Sequence, residues 1–339
     1  MEQTLRVCVF GVTGYTGTEL LRLLSLHPGV RISSLVSSSH AGKKLGDLLP
    51  SLPDSLRDKR LEDSPSEDFD LAFLCLPHEV SRDLVPKLLE MGKKVIDLSG
   101  AYRISSSEAY IQYYGWEHPY PHLLKEAVYG LPEIFRESIR NARLVANPGC
   151  YPTAALLAIY PLMKEGFFPE WVVVDAISGV SGAGRKTSQQ FHFPEMTENA
   201  FPYSVLKHRH TPEMEDVIFR LTGKRVSLRF TPRVVPMSRG MMVTVYMGGA
   251  DASWIEVFRD TYSSEPFVKV VDEPPMTKHV MGTNMCLAYP VYDARTGILQ
   301  VITVIDNLGK GASSQAVQNM NCMMGWNEKL GLDLLPLFP

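Results

Sequence analysis

The opening run LRVCVFGVTGYTGTELLRLL limits what this chain can fold into more than any other segment. An apolar, β-rich stretch, LRVCVF, passes directly into a loop with Gly11, Gly14 and Gly17 at three-residue spacing, and a helical pattern follows at once. Glycines at a strand-to-helix joint let the backbone approach a pyrophosphate, which the free N–H groups and dipole of the helix N-terminus then stabilise. In isolation GVTGYTG also reads as a tight turn without a ligand. The context favours a dinucleotide site, because VRISSLV, DLAFLCL, KVIDLS and RLVAN continue the pattern as short strands, with helices over about residues 16–26 and 79–91. Alternating β and α segments predict an α/β fold with an N-terminal, Rossmann-type, doubly wound parallel sheet.

The same unit bears on which dinucleotide binds. An NAD-preferring site carries an acidic residue about 20 residues beyond the loop, at the end of the second strand. No Asp or Glu occurs from Leu20 to Gly46; the strand instead ends in Ser37, Ser38, Ser39 and His40, followed by Lys43 and Lys44. These groups can hydrogen-bond and neutralise a 2′-phosphate, which points to NADP(H). The alternative is a solvated polar loop.

Beyond residue 150 the character changes. WVVVDAISG, RVSLRFTPRVVP, GMMVTVYMGG, FVKVVD, CLAYPVY and ILQVITVID are strand-like with few helices between them, predicting an α+β domain on a mixed, largely antiparallel sheet. ASSQAVQNMNCMMGW returns to helical spacing and is expected to pack on the first domain. The domains expected are therefore 1–149 with 310–339 for the dinucleotide, and 150–309 for substrate, catalysis and dimerisation.

Lys plus Arg (34) nearly balance Asp plus Glu (37), and no basic run offers a phosphate-backbone footprint, which argues against nucleic acid. The N-terminus lacks the basic and long apolar regions of a signal peptide, and no apolar run reaches the ~18 residues of a membrane helix. A cytoplasmic protein without a membrane partner is expected.

Five cysteines, odd in number and never in CxxC, argue against a disulfide framework and a zinc cluster. Cys8 and Cys75 lie in apolar runs and read as small buried hydrophobes. Cys150, in ANPGCYPTAALLAIYPL, ends a strand-like run and opens a helix with Pro152 in its first turn. A helix N-terminus lowers a thiol pKa below about 8.5 and so favours a nucleophile. Locally, a small residue chosen for packing fits as well. Pro161 should kink or split the helix. In KHRHTPEME, Thr211 reads as an N-cap and Pro212 as the first helical residue, and His208, Arg209, His210 and Glu213 gather acid–base and anion-binding groups. HxH suggests a metal only with a third ligand at a recognisable spacing, and none is seen, so no metal is expected.

These stretches resemble the N-acetyl-γ-glutamyl-phosphate reductases, within the wider group of aspartate-semialdehyde and glyceraldehyde-phosphate dehydrogenases. The resemblance runs through GVTGYTGTELLRLL, CLPH, DLSGAYR, YGLPE, ANPGCYPTAALLA, VDAISGVSGAGR, ENAFPYSVLKHRHTPE, FTPRVVPMSRG and DNLGKGASSQAVQNMN. It implies NADPH-dependent reduction of an acyl phosphate to a semialdehyde with release of phosphate, through a cysteine thioester, in arginine biosynthesis. Under it Cys150 is the nucleophile and His208 the acid–base residue. His210, Glu213 and Arg209 line the substrate pocket, and Arg103 and Arg185 join them as candidates for holding phosphate and carboxylate. Gly11, Thr13, Gly14, Tyr15, Thr16 and Gly17 form the dinucleotide loop, extended by Ser37, Ser38, Ser39, Lys43, Leu76, Pro77 and Ser99. Ser178, Gly179, Gly182 and Asn307 are placed near the nicotinamide end. A homodimer or homotetramer is implied. Arg233 stands where a histidine is expected and Ser314 where a glycine is, and the serine-rich segment lacks an expected arginine. The rivals are an aspartate-semialdehyde dehydrogenase, a dinucleotide sensor without turnover, and a papain-like hydrolase, which leaves the glycine loop unexplained.

Overall fold

The computed structural model describes residues 4–338. The chain divides into two compact units, one of Met1–Tyr102, Glu126–Asn147 and Ala316–Leu332, the other of Arg103–Lys125, Pro148–Gln315 and Asp333–Pro339. Residues 103–125, 148–149, 310–315 and 333–339 thus group with the second unit, whereas sequence reasoning placed them with the first.

The first unit is built on β1 (Leu5–Phe10), β2 (Val30–Val36), β3 (Leu71–Leu74), β4 (Lys94–Asp97), β5 (Val128–Tyr129) and β6 (Leu144–Ala146). They form one all-parallel sheet in the order β2-β1-β3-β4-β6-β5. Val7, Cys8 and Val9 in β1 and all of β3 are fully buried, as expected for strands covered on both faces. Helices of at least eight residues are numbered here: α1 (Tyr15–Leu24), α2 (His78–Glu90), α3 (Ser107–Tyr114), α4 (Pro132–Arg140), α5 (Cys150–Lys164), α6 (His210–Thr222), α7 (Trp254–Tyr262) and α8 (Ser314–Met323). The α8 residues that belong to the first unit bury Ala316, Val317 and Met320, and Asn319 Nδ2 donates to the Gly130 carbonyl and to Asn147 Oδ1. From Ala316 onward the C-terminal helical segment groups with this unit.

The second unit carries β7 (Val172–Gly179), β8 (Phe201–Pro202), β9 (Leu228–Val235), β10 (Met241–Gly248), β11 (Val268–Val270), β12 (Cys286–Asp293) and β13 (Ile298–Ile305). Their order is β11-β12-β13-β10-β7-β9-β8, parallel at β11/β12 and β7/β9 and antiparallel elsewhere. β7 and β10 bury alternate residues, which gives the sheet one core face and one half-exposed face. On the half-exposed face Arg233 pairs with Asp175 across neighbouring strands, so the arginine that stood in place of a histidine has a structural partner.

The core face packs on α5, which is buried nearly all round and contacts β10, β13, α6 and α7. Pro161 does not split it: α5 runs unbroken from Cys150 to Lys164. Proline removes the N–H that would bond the Leu157 carbonyl, and the Tyr262 hydroxyl of α7 donates there instead at 2.6 Å. This tertiary partner satisfies the helix and the thiol-bearing end stays continuous with its buried shaft.

Candidate active site

In the first unit the glycine loop closes β1. Gly11 has φ +78°, and a Cβ there would stand 2.2 Å from the Cys75 carbonyl oxygen. Gly17 is equally confined: a Cβ would meet the Gly11 oxygen at 2.3 Å. Gly14 differs, being the N-cap of α1 with only an ordinary 3.5 Å contact, so its missing side chain leaves open space at the helix start. Beside the loop lies a cavity of about 790 Å³ lined by Gly11, Thr13, Gly14, Ser37, Ser38, Ser39, Leu76 and Pro77, a size suited to a nucleotide. Thr13, Ser37, Ser39 and His40 form a chain of hydroxyl and imidazole contacts along its rim, at 3.0, 3.4 and 2.8 Å.

Sequence reasoning missed another part of the lining, which runs from Asp63 to Phe69 and includes Asp63, Glu67 and Asp68; a polar loop remote in sequence gave no signal. Cys75 also lines the cavity and is only half-buried, which corrects its reading as a core residue. Lys43 is exposed and outside the lining, and Lys44 is paired with Asp58 at 2.7 Å. Tyr15, Thr16 and Gly17 lie at the start of α1 beyond the lining. Ser99, also outside it, donates its hydroxyl to Asp97 at the end of β4.

In the second unit Cys150 is the first residue of α5 and Gly149 its N-cap. Glu213, fully buried in the first turn of α6, accepts the Gly149 N–H through Oε1 at 2.8 Å. Its Oε2 faces Arg103 Nη1 at 3.4 Å and His210 Nε2 at 4.0 Å, and Arg103 is itself buried. The imidazole of His210 fills the space beside Gly149, where a Cβ would stand 2.4 Å from Nε2. On another side Gly311 abuts Cys150: a Cβ on Gly311 would come within 2.8 Å of the Cys150 Cβ.

His208 stands in an aromatic enclosure of Tyr151, Tyr203, His210 and Phe230, with ring centroids 5.8, 5.3, 4.6 and 5.2 Å away. The Tyr203 hydroxyl donates to that of Tyr151, which donates to the Arg233 carbonyl, both at 3.2 Å. His208 Nδ1 accepts the His210 N–H at 3.1 Å, so in the neutral ring the proton sits on Nε2. Burial in this enclosure, with a smaller effect from the Arg209 charge, lowers the His208 pKa to about 4. At neutral pH the ring is uncharged and presents an N–H donor. Tyr151 and Tyr203 escaped sequence reasoning because nothing in their local pattern separates them from packing aromatics.

The thiol overturns the expectation from its helix position. Burial dominates and pushes Cys150 up to about 11, although the N–H groups of Tyr151 and Cys150 and the Arg103 charge pull it down. The helix start stabilises thiolate, but desolvation of the sulfur outweighs it. Burial thus favours the neutral thiol and the neutral imidazole together.

The remaining residues divide. Ser178, Gly182 and Asn307 converge: a Cβ on Gly182 would lie 3.2 Å from Ser178 Oγ and 3.8 Å from Asn307 Nδ2. Gly179 passes tightly under the carbonyls of Met237 and Ser238, at 2.8 Å from each for a Cβ. Arg209 is the N-cap of α6, one position before His210 begins the helix, which corrects the capping assigned to Thr211 and Pro212. Its guanidinium lies 4.8 Å from the Tyr114 ring centre. Arg185 is exposed just after the turn Val180–Ala183. Ser314, replacing a glycine, donates to Asn284 Oδ1 at 2.8 Å in the core. Among the described residues no group of three or more His, Cys, Asp or Glu is arranged to hold a metal, and no helix is long and apolar enough to cross a membrane.

Two family models match successive parts of the chain. Residues 6–142 match the semialdehyde dehydrogenase NAD binding domain, and residues 150–307 the semialdehyde dehydrogenase dimerisation domain. An N-acetyl-gamma-glutamyl-phosphate reductase of Aquifex aeolicus is 61% identical over 340 residues, covering 100% of both chains. One of Magnetococcus marinus is 45% identical, also covering 100% of both. Among solved structures, aspartate semialdehyde dehydrogenase II of Vibrio cholerae, complexed with ASA, superposes with TM-score 0.74 at 19% identity, over 96% of this chain and 99% of that one. Aspartate semialdehyde dehydrogenase of Candida albicans with NADP gives 0.73 at 15% identity, over 95% and 98%. At such identities the structures establish the shared fold.

Proposed function

Because the chain belongs to the N-acetyl-gamma-glutamyl-phosphate reductases of the semialdehyde dehydrogenase family, we propose that it reduces N-acetyl-γ-glutamyl phosphate to N-acetylglutamate 5-semialdehyde, releasing phosphate, in arginine biosynthesis. The observation that carries this reading is the gathering of Cys150, His208, His210 and the buried Arg103–Glu213 pair around the first turn of α5. The first unit is the dinucleotide domain and the second the catalytic and dimerisation domain.

The cofactor is NADP(H). Gly11, Thr13 and Gly14 would hold its pyrophosphate at the open start of α1, and the hydroxyls of Ser37, Ser38 and Ser39 would hydrogen-bond the adenosine ribose end, with neither Lys43 nor Lys44 in the lining. When bound, it supplies a hydride to the acyl carbon.

Cys150 attacks that carbon; the C–S bond forms, the C–O bond to phosphate breaks, and the thiol proton leaves on the phosphate. A thiol raised to about 11 is protonated until substrate arrives, which limits wasteful oxidation and alkylation. The N–H groups of Cys150 and Tyr151 at the helix start stabilise the oxyanion. The neutral His208 donates a hydrogen bond from Nε2–H to the hemithioacetal oxyanion and steers it as the C=O bond re-forms and the C–S bond breaks, and the departing thiolate takes its proton from solvent. Arg103, Arg209 and Arg185 supply positive charge, and His210 a ring nitrogen, for phosphate and carboxylate. Glu213 lines this pocket from beneath, where it orders Gly149 and Arg103.

Homodimers or homotetramers form through the half-exposed face of the seven-stranded sheet, and the enzyme is cytoplasmic. The test is phosphate-dependent NADP reduction with N-acetylglutamate semialdehyde, each component omitted in turn and NAD compared with NADP. Cys150→Ser is expected to abolish turnover, and near wild-type activity would refute the covalent route. A larger kcat/KM with aspartate semialdehyde would reassign the substrate.

A further inference from the structure

We propose that Asp306, clamped by Arg239, is the positioning residue of the nucleophile. Asp306 directly follows β13 and is fully buried. Its Oδ2 accepts the Gly282 N–H at 2.6 Å and pairs with Arg239 Nη2 at 2.8 Å. Its Oδ1 accepts the N–H groups of Leu308 at 2.9 Å and Gly309 at 3.2 Å, and faces Arg239 Nε at 3.3 Å. The Asp306 carbonyl takes the N–H groups of Gly309 and Gly311, at 3.1 and 2.9 Å. Charge-assisted bonds of this kind are among the strongest a backbone can be held by.

The segment so gathered is a π-helical turn, Gly309–Ser313, a geometry that is rare and concentrates at functional sites. Within it lies Gly311, the residue that abuts Cys150. The neighbouring Asn307 locks the same two segments from the other side: its Oδ1 accepts the Gly240 N–H at 2.8 Å and its Nδ2 donates to Ser181 Oγ at 2.9 Å. Arg239–Gly240 and Asp306–Asn307 thus form a double latch. Its output is the position of Gly311, which sets how far the Cys150 side chain can turn. Every acceptor site of the carboxylate faces a donor, so an amide at 306 would turn an N–H against an N–H and loosen the turn.

This inference rests on Cys150 being the nucleophile, and the experiment separates the two. Arg239→Lys and Asp306→Asn are compared with wild type and Cys150→Ser in kcat, KM for the semialdehyde and thermal midpoint, and with wild type alone in the pH profile of iodoacetamide alkylation at the Cys150 peptide. A displacement of about 1 Å near the chemistry costs about 100-fold in rate. Asp306→Asn is expected to lose kcat on that scale, and Arg239→Lys, which keeps the charge but not the fork, about 10-fold, with KM within about two-fold of wild type. The alkylation profile shifts in both, an effect that stability alone does not produce. Should Asp306→Asn fail to fold, Arg239→Lys, at the partly exposed end of the pair, decides. Folded variants with wild-type kcat and alkylation, or with a raised KM and unchanged kcat, overturn the positioning role. Turnover retained by Cys150→Ser overturns the nucleophile itself.

Discussion

Replacing Glu213 by glutamine separates charge from shape at the base of the site. Glutamine keeps the volume and an oxygen for the Gly149 N–H, but removes the charge that faces Arg103 at 3.4 Å. At an effective dielectric constant of about 20, that distance corresponds to roughly 5 kcal/mol of attraction, 332/(20 × 3.4). Removing one partner of a buried pair costs about 3–5 kcal/mol, so the thermal midpoint should fall by roughly 6 °C or more. The thiol responds in the opposite sense. The Glu213 charge raises the Cys150 pKa and the Arg103 charge lowers it, so Glu213→Gln leaves Arg103 acting alone and brings the thiol below its value of about 11. With that value about one thiol in ten thousand is ionised at pH 7, and only thiolate reacts with iodoacetamide. Alkylation of the Cys150 peptide, followed by mass spectrometry across pH, should therefore shift to lower pH in Glu213→Gln and to higher pH in Arg103→Met. A Glu213→Gln profile unmoved or displaced upward would refute the reasoning.

Three further outcomes follow from other parts of the molecule. His208 is lowered from the usual 6.5 to about 4, so the native state binds fewer protons in that window than the unfolded chain. Its contribution is present above pH 6.5 and lost as pH falls toward 4, about 3 kcal/mol at most from a shift of that size; His208→Asn should flatten the fall of thermal midpoint between pH 6.5 and 5. Tyr262→Phe strands the Leu157 carbonyl and should cost about 1–2 kcal/mol in denaturant titration. The loss should shrink in a Pro161→Ala background, where residue 161 regains its N–H; an equal loss would deny the compensation. Gly11→Ala places a methyl group 2.2 Å from the Cys75 carbonyl at φ +78° and should lower both stability and NADP binding. Gly14→Ala meets nothing closer than 3.5 Å and should weaken binding by calorimetry while leaving the thermal midpoint near wild type.

By itself the sequence determined what depends on neighbours along the chain. The glycine loop, the parallel sheet behind it, the mixed sheet beyond residue 150 and the placement of Cys150 at a helix start all follow from periodicities and turn chemistry that act over a few residues. Tertiary structure decided what depends on residues far apart. The Cys150 pKa is raised because desolvation at the start of α5 outweighs the helix dipole. α5 survives Pro161 because Tyr262 reaches its stranded carbonyl from another helix. Glu213 holds Gly149 from 64 positions away, and Tyr203 and Phe230 enclose His208 only once β9 and the segment before α6 meet Tyr151. The backbone pattern is local and can be read residue by residue, whereas desolvation, charge pairing and the filling of a lost hydrogen bond are properties of a three-dimensional neighbourhood.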